Sequence, residues 1–374
     1  MIPFNKPPLT GNEQKYILES LNSCHISGDG QFTKKCHQWF EEKLNCSKAF
    51  LTHSCTAALE MAAILIDIKP GDEIIMPSYT FVSTANAFVL RGGVPVFVDI
   101  RKDTLNIDEK LIEDAITCRT KAIVPVHYAG VACEMDAILD IAKRHKLIVI
   151  EDAAQGLGSS YKGRMLGSIG HLACLSFHET KNITSGEGGA LLVNDKTFIE
   201  RAEIIREKGT NRSKFFRGEV DKYTWMDIGS SYLPSEITAA FLWAQLQEFE
   251  SITSKRLKPW NLYNNSLQKM SNSMTLQLPF IPESCQQNAH MFYLLLSDLG
   301  SRTKFIKNMN NNGVNCTFHY VPLHSSPAGR IYGRTHGELE VSNDVSNRLI
   351  RLPLWSGMSN SEVGYVLNHT IDNL

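Results

Sequence analysis

The sequence predicts an α/β fold in which helices cover a mostly parallel sheet. Over the first 250 residues, short apolar runs alternate with longer segments of helical periodicity, which is the pattern of repeated strand and helix units. The run Leu147–Ile150 is apolar at every position, as expected of a strand buried on both faces of a parallel sheet. The length of 374 residues suits two domains.

Short apolar runs bounded by turn residues predict the strands, and the segments between them predict the helices. The predicted strands are Glu73–Met76, Val94–Val98, Ala122–Val126, Leu147–Glu151, Leu172–Phe177 and Ala190–Asn194. The predicted helices are Thr56–Ile68, Thr80–Leu90, Met135–Lys146 and Lys196–Lys208. The polar stretch Lys208–Lys222 is predicted to be a surface loop, either a solvated linker or a ligand contact.

The character of the sequence changes near residue 250. Pro234 begins a long helical pattern that runs to about Ser254, since proline fits the first turn of a helix. Beyond Trp260 we expect shorter elements, namely strands at His290–Leu296 and Val314–His319 and a helix at Ser301–Asn311. We therefore predict a large α/β domain over residues 1–250, including the N-terminal segment, and a smaller α+β domain over residues 251–374.

Composition and charge exclude several classes of protein. The chain has 38 Lys+Arg against 39 Asp+Glu, so bulk charge does not predict nucleic-acid binding. The nine cysteines are scattered without a CxxC pair, which argues against a zinc ribbon. The first residues lack the apolar core of a signal peptide, and no apolar run is long enough to cross a bilayer. We expect a cytoplasmic protein with no membrane insertion.

Two charged residues follow predicted strands, where ligands bind in open α/β sheets. Asp152 ends a buried strand, and Lys181 lies in the loop that precedes Gly186 and the next strand. Each residue alone is explained more simply, Asp152 as a helix cap and Lys181 as a solvated charge. Together they match pyridoxal phosphate (PLP), which needs a lysine to form a Schiff base and an aspartate to keep its pyridine nitrogen protonated.

Three further segments could bind parts of such a cofactor. Thr52–Thr56 leads into an Ala/Leu-rich helix whose free N–H groups could bind a phosphate, with Ser176 adding a hydroxyl. By itself, the segment is explained more simply as a plain helix cap. Phe81 or Tyr79 could stack on a flat ring, or either could be a core residue. Gln155 could bind the phenolic oxygen of the cofactor. The histidines lack metal-site spacing, so we expect no metal.

These motifs, taken in order along the chain, resemble the sugar-nucleotide aminotransferase family of fold-type I PLP enzymes. The resemblance rests on Pro77–Thr84, Pro125–Gly130, Glu151–Gln155, Ser176–Asn182, Glu187–Gly189 and His319–His324. It implies a mostly parallel seven-stranded sheet between helices in the large domain. It also implies a homodimer with shared active sites.

The resemblance implies a role for each residue of the site. Lys181 is the Schiff-base lysine and proton shuttle, Asp152 pairs with the pyridine nitrogen, Gln155 binds the phenolic oxygen and Phe81 stacks on the ring. Cys55, Thr56 and Ser176 bind the phosphate. The family commonly adds an asparagine from the second subunit in a Gly-x-Asn-x-Arg pattern. Here Ser231 stands at the asparagine position and Leu233 at the arginine position.

The resemblance also implies the reaction. L-Glutamate gives its amino group to the C4 keto carbon of a TDP-linked 4-keto-6-deoxyhexose. Tyr320 and His324 are expected to contact the sugar, and Arg212 the diphosphate, with Lys208, Lys214 and Arg217 as further candidates. A 3-aminotransferase, a dehydratase or a regulatory protein on the same fold are the alternatives. Family members that remove a hydroxyl carry histidine where this chain has Lys181.

Overall fold

The computed structural model describes residues 1–271 and 276–374. Its strands are β1 (Lys48–Thr52), β2 (Glu73–Pro77), β3 (Val94–Val98), β4 (Thr120–Ile123), β5 (Ile148–Asp152), β6 (Ser160–Tyr161), β7 (Arg164–Met165), β8 (Leu172–Ser176), β9 (Gly189–Val193), β10 (Cys285–Gln286), β11 (Phe292–Leu295), β12 (Arg334–Thr335) and β13 (Leu349–Leu352). Its α-helices are α1 (Glu13–Asn22), α2 (Gln31–Leu44), α3 (Cys55–Leu65), α4 (Val82–Val89), α5 (Met135–His145), α6 (Ile199–Arg206), α7 (Arg212–Phe216), α8 (Glu236–Gln247), α9 (Phe249–Ser271), α10 (Leu299–Asn311), α11 (Pro327–Tyr332), α12 (Glu340–Arg348) and α13 (Asn360–Asp372).

An eight-stranded sheet forms the centre of the fold, in the order β1-β9-β8-β5-β4-β2-β3-β12. Its pairings are parallel from β8 through β12, whereas β9 runs antiparallel to both β8 and β1. The α/β class and the mostly parallel sheet are therefore confirmed. The eighth strand, β12, comes from the C-terminal part of the chain and adds two residues at the edge.

The six predicted strands are present with small shifts of their ends. The strand predicted at Ala122–Val126 ends at Ile123, two residues before Pro125, which has no N–H group for the ladder. Strand β1 was missed, because its apolar core is only the three residues Ala49–Leu51. Apolar residues on both faces of the sheet join separate core clusters, so helices cover the sheet on both sides.

The prediction for residues 234–260 needs correction. Instead of one helix to about Ser254, α8 ends at Gln247 and α9 begins at Phe249. Helix α9 then continues to Ser271, through the region where we expected shorter elements, with Pro259 inside it. Its buried face, which includes Arg256 and Tyr263, packs tightly enough to offset the hydrogen bond that proline removes.

The C-terminal part has its own hydrophobic cluster around Trp260, Phe292 and Val366. Strands β11 and β13 pair antiparallel within it. The strand predicted at Val314–His319 is absent; this segment makes only isolated bridges, with Ile2 and with Arg351. Ile2 thus packs with the C-terminal part, although the proposed boundary at residue 250 stays a prediction.

One buried carboxylate ties the start of α2 to α8. Glu236 accepts hydrogen bonds from the N–H groups of Gly30 at 3.0 Å, Phe32 at 2.8 Å and Thr33 at 3.0 Å. A negative charge suits these free N–H groups at a helix N-terminus. A Cβ at Gly30 would overlap the Glu236 side chain, which explains the glycine at this position.

No helix in the described ranges is both long and apolar enough to cross a membrane.

Candidate active site

Lys181 lies in the loop between β8 and β9, and its side chain points into a cleft lined by Gln155, Ser176, Asn182 and His290. Within the part of the chain that the structure describes, its amine has no hydrogen-bond or ion-pair partner. Burial lowers the pKa of Lys181, and the nearby Cys55 and Asp152 oppose that shift only in part. The lysine is therefore held closer to its neutral, nucleophilic form than a surface lysine is.

Asp152 is the last residue of β5 and is 5% exposed. Its Oδ2 accepts a hydrogen bond from the Thr84 hydroxyl at 2.7 Å, and its Oδ1 accepts one from the Ala154 N–H at 3.2 Å. A turn follows Asp152 instead of a helix, so the alternative role as a helix cap is wrong. The carboxylate is buried and oriented, and it has lone pairs left for a cationic ring nitrogen.

Gln155 and Tyr320 meet on one side of the cleft. Gln155 Oε1 accepts a hydrogen bond from the Ala129 N–H at 2.7 Å, and its Nε2 donates to the Tyr320 hydroxyl at 3.2 Å. The second Nε2 hydrogen stays available for an oxygen acceptor in the cleft. His324 lies farther along, where its Nδ1 pairs with the Ser78 hydroxyl at 2.7 Å, at the end of β2.

The start of α3 has the form of an anion site. Ser54 is the N-cap, and its hydroxyl accepts from the Ala57 N–H at 3.1 Å. The N–H groups of Cys55 and Thr56 therefore face out of the helix start. Ser176 pairs with Gly189 across the β8–β9 ladder, and Gly189 in turn pairs with Thr52, which brings Ser176 beside this helix start.

The two residues that could stack on a flat ring differ in their exposure to solvent. Tyr79 is 1% exposed and belongs to the core, as the simpler explanation predicted. Phe81 is 57% exposed and lies just before α4, with its ring centroid 6.4 Å from that of Tyr320. Phe81 is therefore free to cover a flat ring from one side.

The remaining predicted residues do not join this cleft within one chain. Ser231 is exposed and bridges to Glu207 in the backbone. Arg212 lies in α7, where its guanidinium is 3.7 Å from the Glu207 carboxylate and over the Phe216 ring. The loop predicted at 208–222 thus contains a short helix.

Two of the further diphosphate candidates are already paired with acidic residues of α6. Lys214 pairs with Glu200, and Arg217 pairs with Glu203 at 2.7 Å. An approaching diphosphate would have to compete with these carboxylates.

Several residues of the cleft were not predicted. His290 bonds through Nδ1 to Asn182 Oδ1 at 3.0 Å, and Asn182 donates to the Asn288 carbonyl at 2.8 Å. Burial lowers the pKa of His290 well below its ordinary range, so the ring is neutral. Thr84, whose hydroxyl donates to Asp152, was also missed. The only sequence signal for these residues was the pair of polar residues Asn288 and His290 before a strand. This pattern by itself does not indicate a binding site.

The residues present fit PLP. Lys181, which is partly buried and has no partner among the described residues, lines the cleft together with Gln155 and Ser176. Asp152 lies three residues before Gln155, and the start of α3 lies beside Ser176. Lys181 would hold the aldehyde carbon, Asp152 the pyridine nitrogen, and Cys55, Thr56 and Ser176 the phosphate.

Comparisons with known proteins agree with this geometry. The profile of the DegT/DnrJ/EryC1/StrS aminotransferase family matches residues 7–370. An uncharacterised protein of Methanocaldococcus jannaschii is 35% identical, in a match that covers 98% of this chain and 96% of that protein. The GDP-perosamine synthase of Caulobacter vibrioides is 32% identical, covering 96% of this chain and 95% of its own.

Solved structures give the same result. Spr1654 of Streptococcus pneumoniae, in its pyridoxamine phosphate (PMP) form, matches with a TM-score of 0.92 and 25% identity over 100% of both chains. The same protein is known in a PLP form. The fold-type I architecture and PLP as the cofactor are thereby confirmed. The chain belongs to the DegT/DnrJ/EryC1/StrS aminotransferase family.

Proposed function

We propose that the protein transfers the amino group of L-glutamate to the C4 keto carbon of TDP-4-keto-6-deoxy-D-glucose. The products are TDP-4-amino-4,6-dideoxy-D-galactose and 2-oxoglutarate. The nitrogen moves without net oxidation, because the amine lost by glutamate becomes the amine gained by the sugar. We place the reaction in the cytoplasm, in the synthesis of the enterobacterial common antigen, a polysaccharide.

The observation that carries the proposal is the partly buried amine of Lys181, which has no partner among the described residues and lies near the carboxylate of Asp152. PLP, when bound, accepts the electrons released as a bond to the amino-bearing carbon breaks. The lowered pKa of Lys181 suits its amine to take the proton from that carbon and to return a proton to the sugar carbon. Asp152 holds the pyridine nitrogen protonated, and Thr84 keeps the carboxylate in place.

The choice of sugar nucleotide rests on sequence resemblance. The runs Phe177–Lys181 and Arg206–Gly229 resemble those of TDP-4-oxo-6-deoxy-D-glucose transaminase. Relatives named GDP-perosamine synthase favour a second candidate, a GDP-linked sugar. We also propose a homodimer in which Ser231 of one subunit reaches the phosphate in the other, since Ser231 is exposed and away from the cleft of its own chain.

Purified PLP-loaded enzyme with ¹⁵N-labelled L-glutamate tests the proposal. TDP-4-keto-6-deoxy-D-glucose and GDP-4-keto-6-deoxy-D-mannose are supplied separately, and each product is analysed by mass spectrometry and NMR. We expect ¹⁵N at C4 of the TDP sugar in the galacto configuration, with higher kcat/KM than for the GDP sugar. Label at C3, another epimer or preference for GDP would contradict the substrate and leave the family intact.

Two lysine variants identify the chemistry. Lys181→Ala should abolish ¹⁵N transfer, whereas Lys304→Ala, at an exposed position on α10, should retain amino transfer. Wild-type protein that binds PLP but never releases 2-oxoglutarate from glutamate would indicate the regulatory alternative.

A further inference from the structure

Lys181 lies outside the two strands that flank it. Strand β8 ends at Ser176 and β9 begins at Gly189, so no strand ladder fixes the lysine. Its own N–H donates to the carbonyl of His178, which belongs to the same loop. A side chain that reacts at one carbon must be held to within about 0.5 Å. Contacts from outside the loop are therefore needed to hold Lys181 in place.

The two residues after Lys181 make those contacts. Ile183 packs into a core cluster of the large sheet. Asn182 is 5% exposed, and both ends of its side-chain amide are bonded to residues that come shortly before β11. Its Nδ2 donates to the carbonyl of Asn288 at 2.8 Å, and its Oδ1 lies 3.0 Å from Nδ1 of His290. The C-terminal part of the chain thus holds the loop of Lys181.

The partners of Asn182 determine where the hydrogens lie. The Asn288 carbonyl can only accept, so the NH₂ group of Asn182 faces it and Oδ1 faces His290. Because Oδ1 also only accepts, the ring hydrogen of His290 is on Nδ1. Burial lowers the pKa of His290 well below the ordinary range, so the ring is neutral and Nδ1–H is its one donor.

Asn288 extends this arrangement to the turn that contains Gln155. Its Nδ2 donates to the carbonyls of Gln155 at 2.8 Å and Leu157 at 2.9 Å, and its Oδ1 accepts from the His290 N–H at 3.0 Å. Asn288 is 1% exposed, and a Cβ at Gly130 would overlap its Oδ1, so the glycine leaves room for it. One buried residue therefore contacts both the loop of Lys181 and the turn of Gln155.

We propose that Asn182, His290 and Asn288 are positioning residues for amino transfer, which fix the amine of Lys181 relative to Gln155. All five residues line one cleft, so a shift of the loop moves the amine within that cleft. The three positioning residues act through their hydrogen bonds to each other and to the backbone. The proposal rests on the proposed function, in which Lys181 moves the proton.

The first half-reaction tests the proposal without any sugar. PLP-form enzyme is mixed with increasing L-glutamate, and conversion to the PMP form is followed by absorbance. Asn182→Ala should lower the maximal rate about 10- to 100-fold, because a displacement of about 1 Å can cost that much. The half-saturating glutamate concentration should change little, since no group that binds glutamate is removed.

Variants of His290 separate positioning from acid–base chemistry. His290→Asn keeps an N–H at the place of Nδ1, so it should retain most of the maximal rate. His290→Gln carries its amide one carbon further, near the place of Nε2, and should be as slow as His290→Leu. The reverse order, with the glutamine variant active and the asparagine variant inactive, would show that Nε2 acts on a proton and would overturn the proposal.

The cofactor-free protein gives a measurement that does not depend on activity. Hydrogen–deuterium exchange followed by mass spectrometry should show faster exchange over residues 177–188 in Asn182→Ala, because the loop loses its bonds to the C-terminal part.

Asn194→Ala is the matched control. Asn194 Nδ2 also donates to two carbonyls, those of Gly167 at 3.1 Å and Gly170 at 2.8 Å, but at the end of β9 away from the cleft. This variant should lower the thermal unfolding midpoint and leave both the loop exchange and the maximal rate unchanged.

Three results for Asn182→Ala would overturn the proposal. They are an unchanged maximal rate, unchanged exchange of the loop, or a loss that appears only in the half-saturating glutamate concentration. A wild-type enzyme that releases no 2-oxoglutarate from glutamate would refute the proposed function instead. The exchange measurement would then still decide whether these residues hold the loop.

Discussion

Glu73 offers a test of how the C-terminal part is attached to the sheet near the active site. It opens β2, and its carboxylate is wholly shielded from solvent. Arg334 donates to it at 2.8 and 3.0 Å, Arg119 at 2.7 Å, and the Thr117 hydroxyl at 2.7 Å. Arg334 begins β12, ten residues after His324. Replacing Glu73 with glutamine should remove this attachment.

The size of the expected loss of stability follows from the pKa of Glu73. Hydrogen bonds from Arg334 lower the pKa of Glu73 from an ordinary 4.5 to about 2. At about 1.4 kcal/mol per pH unit, this corresponds to about 3 kcal/mol of stability at neutral pH. Because the folded-state pKa is depressed, the contribution is present above the unfolded-state pKa. It is lost as the pH falls from 4.5 towards 2.

Urea denaturation of PLP-saturated wild type and Glu73→Gln, from neutral to acid pH, measures the difference in free energy of unfolding. We expect about 3 kcal/mol at neutral pH and a smaller difference below pH 4.5. Arg119→Gln is the control, because the side chain of Arg119 is 62% exposed and such pairs contribute about 1 kcal/mol or less. A difference for Glu73→Gln under about 1 kcal/mol, or one independent of pH, would refute the reasoning.

Two further predictions concern the cofactor cleft. Lys181→Met should raise the thermal unfolding midpoint of the cofactor-free protein at neutral pH, because burial lowers the pKa of Lys181 and so makes its charged form less favourable in the folded protein than in the unfolded chain. The gain should disappear above about pH 10.5, where the unfolded-state lysine also loses its proton; a gain that persists there would contradict this cause. Gly189→Ala should weaken PLP binding about 10-fold or more by fluorescence titration, because its Cβ would overlap the backbone of Ser54 and Cys55. Gly364→Ala, with open space around its Cβ, is the control, and equal affinities would disprove the steric argument.

The α/β class was predictable because the pattern that defines it is local. Apolar runs at the periods of strands and helices mark β2, β3, β5, β8 and β9 directly. Strand β1 was not predictable in this way, since it is recognisable mainly through its partner β9. The segment Val314–His319 shows the converse, because it pairs with Ile2 and with Arg351 only through isolated bridges and forms no continuous ladder.

The centre of the site was predictable because PLP chemistry demands a lysine and an acid, and Lys181 and Asp152 follow strands of one sheet. His290 was not predictable, since it lies more than a hundred residues beyond Lys181 and reaches the cleft only through tertiary packing. The roles of the predicted residues, including Ser231 and Arg212, stay predictions.

The position of Phe4 has a practical consequence for anyone producing the enzyme. Its ring lies against the guanidinium of Arg351, and the backbone of Ile2 is hydrogen-bonded to Gly313 at 2.7 Å. The first few residues therefore help to hold the C-terminal part of the chain together. Trimming them, or fusing an affinity tag to Met1 without a spacer, should lower the thermal unfolding midpoint.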